Sequence, residues 1–331
     1  MLRRNRLGAI TSVLILMSLN MNPGWGQPRA KLDSKKDSAC KPIAKVISGD
    51  SRYQPSTKLC SEDRVSAVNG ERVKILCYPR GKIIDILSDV VGKQCQPLKA
   101  NEGRGCNVLQ GRSCVIPKGP EEENKPTKVT PYGVVINQER PTISWSKAKG
   151  ATDYVVRMRG NGGINWEMTV KGESLTYPSQ QPALKTGQAY TIDIVAMRGD
   201  EVIDGSSSLL LLLPTDKMQE VEKTINVLKN LQQPLDELAI DKDAVYESYN
   251  LVNESIKVLD ARAASGSTNP TIYRLLGDRY LIANFPQQAH EAYLTAKKLA
   301  QQANNITELA LAEAGSKMTA QTKERNNSRE N

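Results

Sequence analysis

Residues 34 apart repeat their character along the last third of this 331-residue chain. Tyr246 answers to Tyr280, Asn250 to Asn284, Ser255 to Ala289 and Leu259 to Tyr293. A period of roughly 20–50 residues restricts the fold, because one such unit cannot bury its apolar face alone and must stack on a neighbour. Apolar residues recur at helical spacing within each period. Asn269-Pro270 reads as a helix start, with a capping side chain and a proline in the first turn. Asn284-Phe285-Pro286 interrupts the next helix. The expectation is an all-α region over 215–315, with units at about 236–269 and 270–303. Asp216 to Leu231 and Ile306 to Ala314 supply flanking helices. The polar stretch 316–331 is expected to be disordered.

The second unit resembles the tetratricopeptide repeat. Tyr273 takes its bulky aromatic position, Leu276-Gly277 its Leu-Gly pair, and Tyr280 its second aromatic. Ala289 is the small residue where the second helix crosses the first, and Tyr293 and Ala296 complete the pattern. The first unit keeps Tyr246, Ser255 and Leu259, but Lys242-Asp243 replace the Leu-Gly pair. The resemblance implies binding of partner peptides on the face of the first helices. Carried over residue by residue, that groove is Thr271, Arg274, Asp278 and Leu281, preceded by Glu237, Ile240, Ala244 and Glu247. The family's Lys and Asn carboxylate clamp is absent, and Arg274 with Asp278 also reads as a solvated i, i+4 pair.

Upstream the period changes from helical to two. Pro141 to Trp145 and Ala151 to Met158 read as strands, Gly160 to Gly163 as a hairpin turn, and Asn165 to Val170 as the return strand. Leu184, Tyr190, Ile192, Ile194 and Ala196 alternate, as one buried face of a sheet requires. Residues 129–214 resemble a fibronectin type III domain. Its Leu-x-Pro-x-Thr-x-Tyr pattern falls on Leu184 to Ala196, with Thr186 and Gln188 at two substituted positions. The resemblance makes Tyr190 the tyrosine-corner residue and Trp145 a core tryptophan.

All six cysteines, Cys40, Cys60, Cys77, Cys95, Cys106 and Cys114, fall in residues 40–117. An even count in one region, with no Cys-x-x-Cys, points to disulfides over metal or redox chemistry, with the pairing open. Short strands are expected here at Lys41 to Ser48, Val73 to Tyr78 and Lys82 to Leu87, with Asn69-Gly70 as a hairpin signal. Val46 to Gly49, Leu59 to Val65 and Gly81 to Leu87 together resemble the FecR-type domain. The acidic, proline-bearing stretch 118–128 reads as a linker.

Arg3, Arg4 and Arg6, the apolar stretch Leu7 to Met21 and Gly24-Trp25-Gly26 read as a cleavable export signal over 1–26. Residues 27–39 read as a flexible lead-in. The apolar stretch is shorter than the roughly 20 residues of a membrane span. The net charge of +9 loses those three arginines on cleavage, leaving +6, and no basic block suggests nucleic acid. The only histidine is His290, expected on an exposed helix face. No nucleophile elbow, metal-binding pair or cofactor loop is present. Glu121 to Glu123 lie in the linker.

These features describe a multidomain chain: a disulfide-containing all-β domain, a β-sandwich and tetratricopeptide-like helices. The expected function is that of an exported, non-enzymatic scaffold without cofactor, binding a protein or peptide in the periplasm or outside the cell. The competing expectation is a sensory or ligand-binding envelope protein acting through its β domains on wall glycan or a signalling partner.

Overall fold

The computed structural model describes residues 40–68, 70–96 and 125–327. The first part holds six short strands: β1 (Ala44–Ser48), β2 (Lys58–Leu59), β3 (Arg64–Ser66), β4 (Val73–Cys77), β5 (Lys82–Ile86) and β6 (Ser88–Val90), with a one-turn helix α1 (Val91–Gln94). Four form an antiparallel sheet in the order β2-β1-β4-β5, and β3 pairs with β6. The stretch around Gly70 therefore joins strands that are not partners, contrary to the hairpin expected there; Asn69 lies outside the described residues. The tight connection is instead Tyr78 to Gly81 between β4 and β5, with Gly81 in the left-handed region at φ 56°. Cys40 pairs with Cys60 and Cys77 with Cys95, at Cα separations of 6.2 and 5.4 Å. Cys106 and Cys114 lie outside the described residues.

The second part is a sandwich of β7 (Lys128–Thr130), β8 (Val135–Ile136), β9 (Thr142–Trp145), β10 (Asp153–Gly160), β11 (Ile164–Val170), β12 (Ser174–Thr176), β13 (Ala189–Arg198) and β14 (Glu201–Leu212). One sheet runs β12-β9-β7, the other β11-β10-β13-β14-β8. Tyr154, Val156, Met158, Ile192 and Ile194 alternate inward from β10 and β13. They meet Trp145, whose ring stands edge-on to Tyr154 at 5.4 Å. The Tyr190 hydroxyl accepts the Lys185 N–H at 2.7 Å, which pins the corner before β13. Strand order and this corner are those of a fibronectin type III sandwich.

Six helices follow: α2 (Thr215–Asn230), α3 (Leu235–Ser248), α4 (Val252–Ala264), α5 (Pro270–Ile282), α6 (Pro286–Gln302) and α7 (Ile306–Asn327). Asn269 caps α5, its side chain accepting the Thr271 N–H at 3.0 Å. Helix α7 continues through residues 316–327, which the sequence suggested would be disordered. Ala312 and Thr319 are buried and Gly315 packs against Tyr293, so the polar stretch gains an inward face.

The recurrence of asparagine at 250 and 284 has a backbone cause, which Asn304 shares. Asn250, Asn284 and Asn304 end α3, α5 and α6 at φ 58°, 64° and 51°. The next residue bonds back five positions: Leu251 N–H to Tyr246 at 2.9 Å, Phe285 to Tyr280 at 2.8 Å and Asn305 to Ala300 at 2.9 Å. These are Schellman stops, and asparagine tolerates the left-handed region better than branched residues do. In α3 and α5 the following Leu251 or Phe285 is buried, closing each stop over an apolar contact.

One apolar cluster joins all three parts. Ile47 and Leu76 come from the first sheet, Leu213 from the end of the sandwich, and Val221, Ile225, Leu228, Val245 and Leu251 from the helices. The β parts and the helices thus complete one another's cores. We expect Asn284→Gly to hold stability within about 1 kcal/mol of wild type, and Asn284→Val to fall about 1–2 kcal/mol below the glycine variant in urea unfolding.

Candidate functional site

The candidate face is that of the first helices α3, α5 and α7, and most of it is already occupied. On α3, Glu237 and Asp241 receive Lys45 of β1. The ammonium donates to Gln233 Oε1 at 2.6 Å, Glu237 Oε2 at 2.9 Å and Asp241 Oδ2 at 2.9 Å, so all three N–H donors are used. Lys45 is 0% and Asp241 1% exposed. Asp241 also accepts from Gln233 and from the Tyr78 hydroxyl at 3.2 Å. Burial, followed by the charge of Asp241, pushes the Tyr78 phenol far above its ordinary pKa. One turn on, a side chain at Gly81 would overlap Ser248 and crowd the Ala244 carbonyl. Ile240 is packed into the helix core. The first-unit groove positions Glu237, Ile240 and Ala244 are therefore part of an internal interface, not a free groove.

The second-unit positions are partly covered by α7. Arg274 bonds Glu308 at 2.6 Å and Asp278 at 2.8 Å, and each of the three is only 12–13% exposed at its side chain. The Tyr293 hydroxyl donates to Asp278 at 2.8 Å. The i, i+4 pair thus exists but is buried and extended, not solvated. Thr271 and Leu281 are half-buried. Arg274 of α5 and Glu308 of α7 are 34 residues apart.

Asp243 is the residue sequence reasoning missed. It stands where the second unit has Gly277, and it is 1% exposed. Arg279 of α5 reaches back to both its oxygens at 2.8 Å, a bidentate pair suited to burial. Burial pulls the Arg279 guanidinium down, but the charge and hydrogen bonds of Asp243, together with the charges of Glu247 and Asp278, hold it above its ordinary pKa. In the second unit the same position is glycine because Tyr293 fills the space: an added Cβ would lie 2.8 Å from its ring at Gly277 and 2.5 Å at Gly315. Leu276, Ala289 and Ala296 are also buried, as are Ser255 and Leu259 in the first unit, while Tyr246, Tyr273 and Tyr280 are partly buried. His290 is half-buried, and its Nδ1 meets Thr319 Oγ1 at 2.8 Å, because α7 covers the side of α6 expected to be exposed. Glu254 has one buried carboxylate oxygen with no partner, and burial raises its pKa.

Besides Leu213, one loop of the sandwich packs on the helices. Tyr132 stands edge-on to Tyr280 at 6.1 Å and to Phe285 at 5.2 Å, and its N–H bonds Asn253 at 3.2 Å. Lys128 shapes this loop by donating to the Pro131 and Gly133 carbonyls. Desolvation alone lowers its pKa to about 8. Among the described residues no group of three or more His, Cys, Asp or Glu could hold a metal ion, and no helix is long and apolar enough to cross a membrane.

No family model matches the chain, and no curated protein matches it. Among solved structures, it is similar to PcrH from Pseudomonas aeruginosa at 14% identity, over 32% of this chain and 83% of that one, with a TM-score of 0.28. PcrH in complex with the chaperone binding region of PopB matches at 16% identity, over 31% and 86%, with a TM-score of 0.26. The fn3 domain of human collagen alpha-1(XX) chain matches at 18% identity, over 28% and 90%, with a TM-score of 0.22. The fold described above rests on this chain's own strand order and helix pairing.

Two outcomes follow from the buried charges. Lys45→Ala leaves Asp241 buried and unpaired and should lower stability by about 3–5 kcal/mol, whereas Lys45→Met with Asp241→Leu should recover much of the loss; denaturant melts of the three variants test this. Lys128 has a folded pKa of about 8 against an unfolded reference of 10.5. Between these values the unfolded chain holds more protons, so stability should rise with pH. Unfolding titrations between about pH 8 and 10 should show a rise of up to about 3 kcal/mol over the full window that Lys128→Met lacks.

Proposed function

We propose that this chain is an exported scaffold that binds a protein or peptide partner through its tetratricopeptide-like helices and carries out no chemistry of its own. The observation that carries this reading is that the helices already hold one extended segment. Strand β1 lies on α3 with its lysine fixed by three side chains of the α2–α3 turn and α3. A surface that fixes an extended segment of its own chain has the chemistry to fix one from another. The two disulfides suit an oxidising compartment outside the cytoplasm. The buried ion pairs Arg279–Asp243 and Arg274–Glu308 join helix to helix, which makes a stiff platform and not a poised acid–base pair.

The test uses the full chain, since the shared cluster leaves neither the β parts nor the helices with a complete core. A photo-cross-linking residue is placed at Leu281, at Lys229 and, as a control, at the exposed Val202 of β14. The expected result is adducts of protein mass from Leu281 or Lys229 and none from Val202. Adducts from Val202 alone would transfer the function to the β parts, and no adduct at any position would remove the scaffold reading.

A further inference from the structure

The five-stranded sheet of the sandwich ends on β11, and among the described residues no strand pairs with its outer side. All seven residues, Ile164 to Val170, pair with β10 without a shift of register. An open edge of this kind is a template for another strand, and proteins usually guard it with lysine, proline or a bulge. β11 carries none of these. The opposite edge, β14, is partly closed: β8 takes Leu211 and Leu212, and the Asp204 side chain takes the Gly205 N–H.

The direction of the free groups on β11 follows from the ladder. The Leu211 N–H points away from β13, to Val134, and the Leu212 N–H points toward β13, to Gln188. N–H and C=O groups alternate sides along a strand. From Leu211 to Gly205 odd residues of β14 pair with odd residues of β13, and the same holds from β13 to β10 and from β10 to β11. The alternation therefore turns the N–H and C=O of Asn165, Glu167 and Thr169 outward from the edge. The side chains of Ile164, Trp166, Met168 and Val170 lie on the core side of the sheet, where Trp166 is 7% and Met168 36% exposed.

We infer that this edge pairs with a second copy of the chain, β11 against β11, antiparallel about a two-fold axis at Glu167. In that register Glu167 opposes the partner's Glu167, Asn165 opposes the partner's Thr169, and Thr169 the partner's Asn165. These are the residues whose groups point outward, so each pair exchanges both of its N–H···O bonds. The core-side row matches itself as well. Met168 opposes the partner's Trp166, and Ile164 opposes the partner's Val170. These are the closer, non-hydrogen-bonded pairs, and a thioether against an indole is a favourable contact. No other axis pairs all seven residues, and moving it by one residue would bring forward groups already bonded to β10. The one like-charge meeting, Glu167 with Glu167, is offset because each carboxylate is already bound by its own Arg157. A strand that is its own complement, in hydrogen bonds and in apolar residues, selects a copy of itself and makes a closed symmetric dimer. This inference goes beyond the scaffold reading and uses no residue of the helices.

Sedimentation equilibrium of the full chain should show a dimer at about 100 μM. Thr169→Pro removes an outward N–H and leaves the ladder to β10 intact. Met168→Lys places a charge opposite the partner's Trp166. Each should raise the dissociation constant at least about ten-fold without lowering the melting temperature of the monomer. The axis is tested by cysteine. Glu167→Cys should form a disulfide between copies under mild oxidation, mapped to position 167 by peptide mass, because the opposed Cα atoms lie about 5.5 Å apart. Thr169→Cys should not bridge to itself, since its two copies lie well apart along the strands. A monomer at about 100 μM, a dimer of unchanged affinity in both Thr169→Pro and Met168→Lys, or equal bridging by the two cysteine variants would each overturn the inference.

Discussion

Lys45 has no water around it, and that single fact orders the architecture. A buried ammonium is tolerable only when its charge is matched and its donors are filled. Here both conditions are met by residues nearly two hundred positions away, with Gln233, Glu237 and Asp241 converging on one nitrogen. The pairing can form only when α3 and β1 lie against each other in one register. Ile47, two residues along the same strand face, then enters the cluster of Val221, Leu228 and Val245. The apolar contacts supply the larger free energy, since burial scales with area. The lysine selects which of many apolar contacts is correct.

The same device recurs along the helices. Arg279 crosses from α5 to Asp243 on α3, and Arg274 crosses from α5 to Glu308 on α7. Each crossing lies between consecutive first helices, where a longer array would leave a continuous groove. The array is short, and its two ends are closed by the chain itself: the first sheet on α3 and the long helix α7 on α5. The middle of the concave face is therefore taken up largely by the chain itself.

The helices were legible because their period, caps and small residues are local signals. Asn250 and Asn284 recur for a reason confined to the helix end, and Tyr293 with Gly277 for a reason confined to one helix pair. Lys45 was not legible. In a strand reading, a lysine between Ala44 and Val46 belongs on the solvent side, and only a distant helix makes that side an interior. Asp243 was hidden differently: it occupies the pattern's glycine position, so it read as decay of the repeat when it is a different solution to the same gap. The helical course of residues 316–327 was missed because a helix with few apolar residues can be held by a buried alanine, a glycine against Tyr293 and a threonine bonded to His290. The first-unit groove positions are covered for a related reason. A pattern carried over from free-standing repeats does not know that another part of the chain lies on them.

The disulfides belong to this same account. Cys77 ends β4, and the very next residues form the turn that docks on α3, with the Tyr78 hydroxyl on Asp241 and Gly81 against Ser248. The bond from Cys77 to Cys95 ties the end of β4 to the residues just after α1. A cross-link of this kind acts mainly by limiting the open chain's freedom. It therefore restricts the turn that docks on α3, so the same part of the chain carries both the cross-link and the contact with Asp241. Such a bond persists in an oxidising compartment.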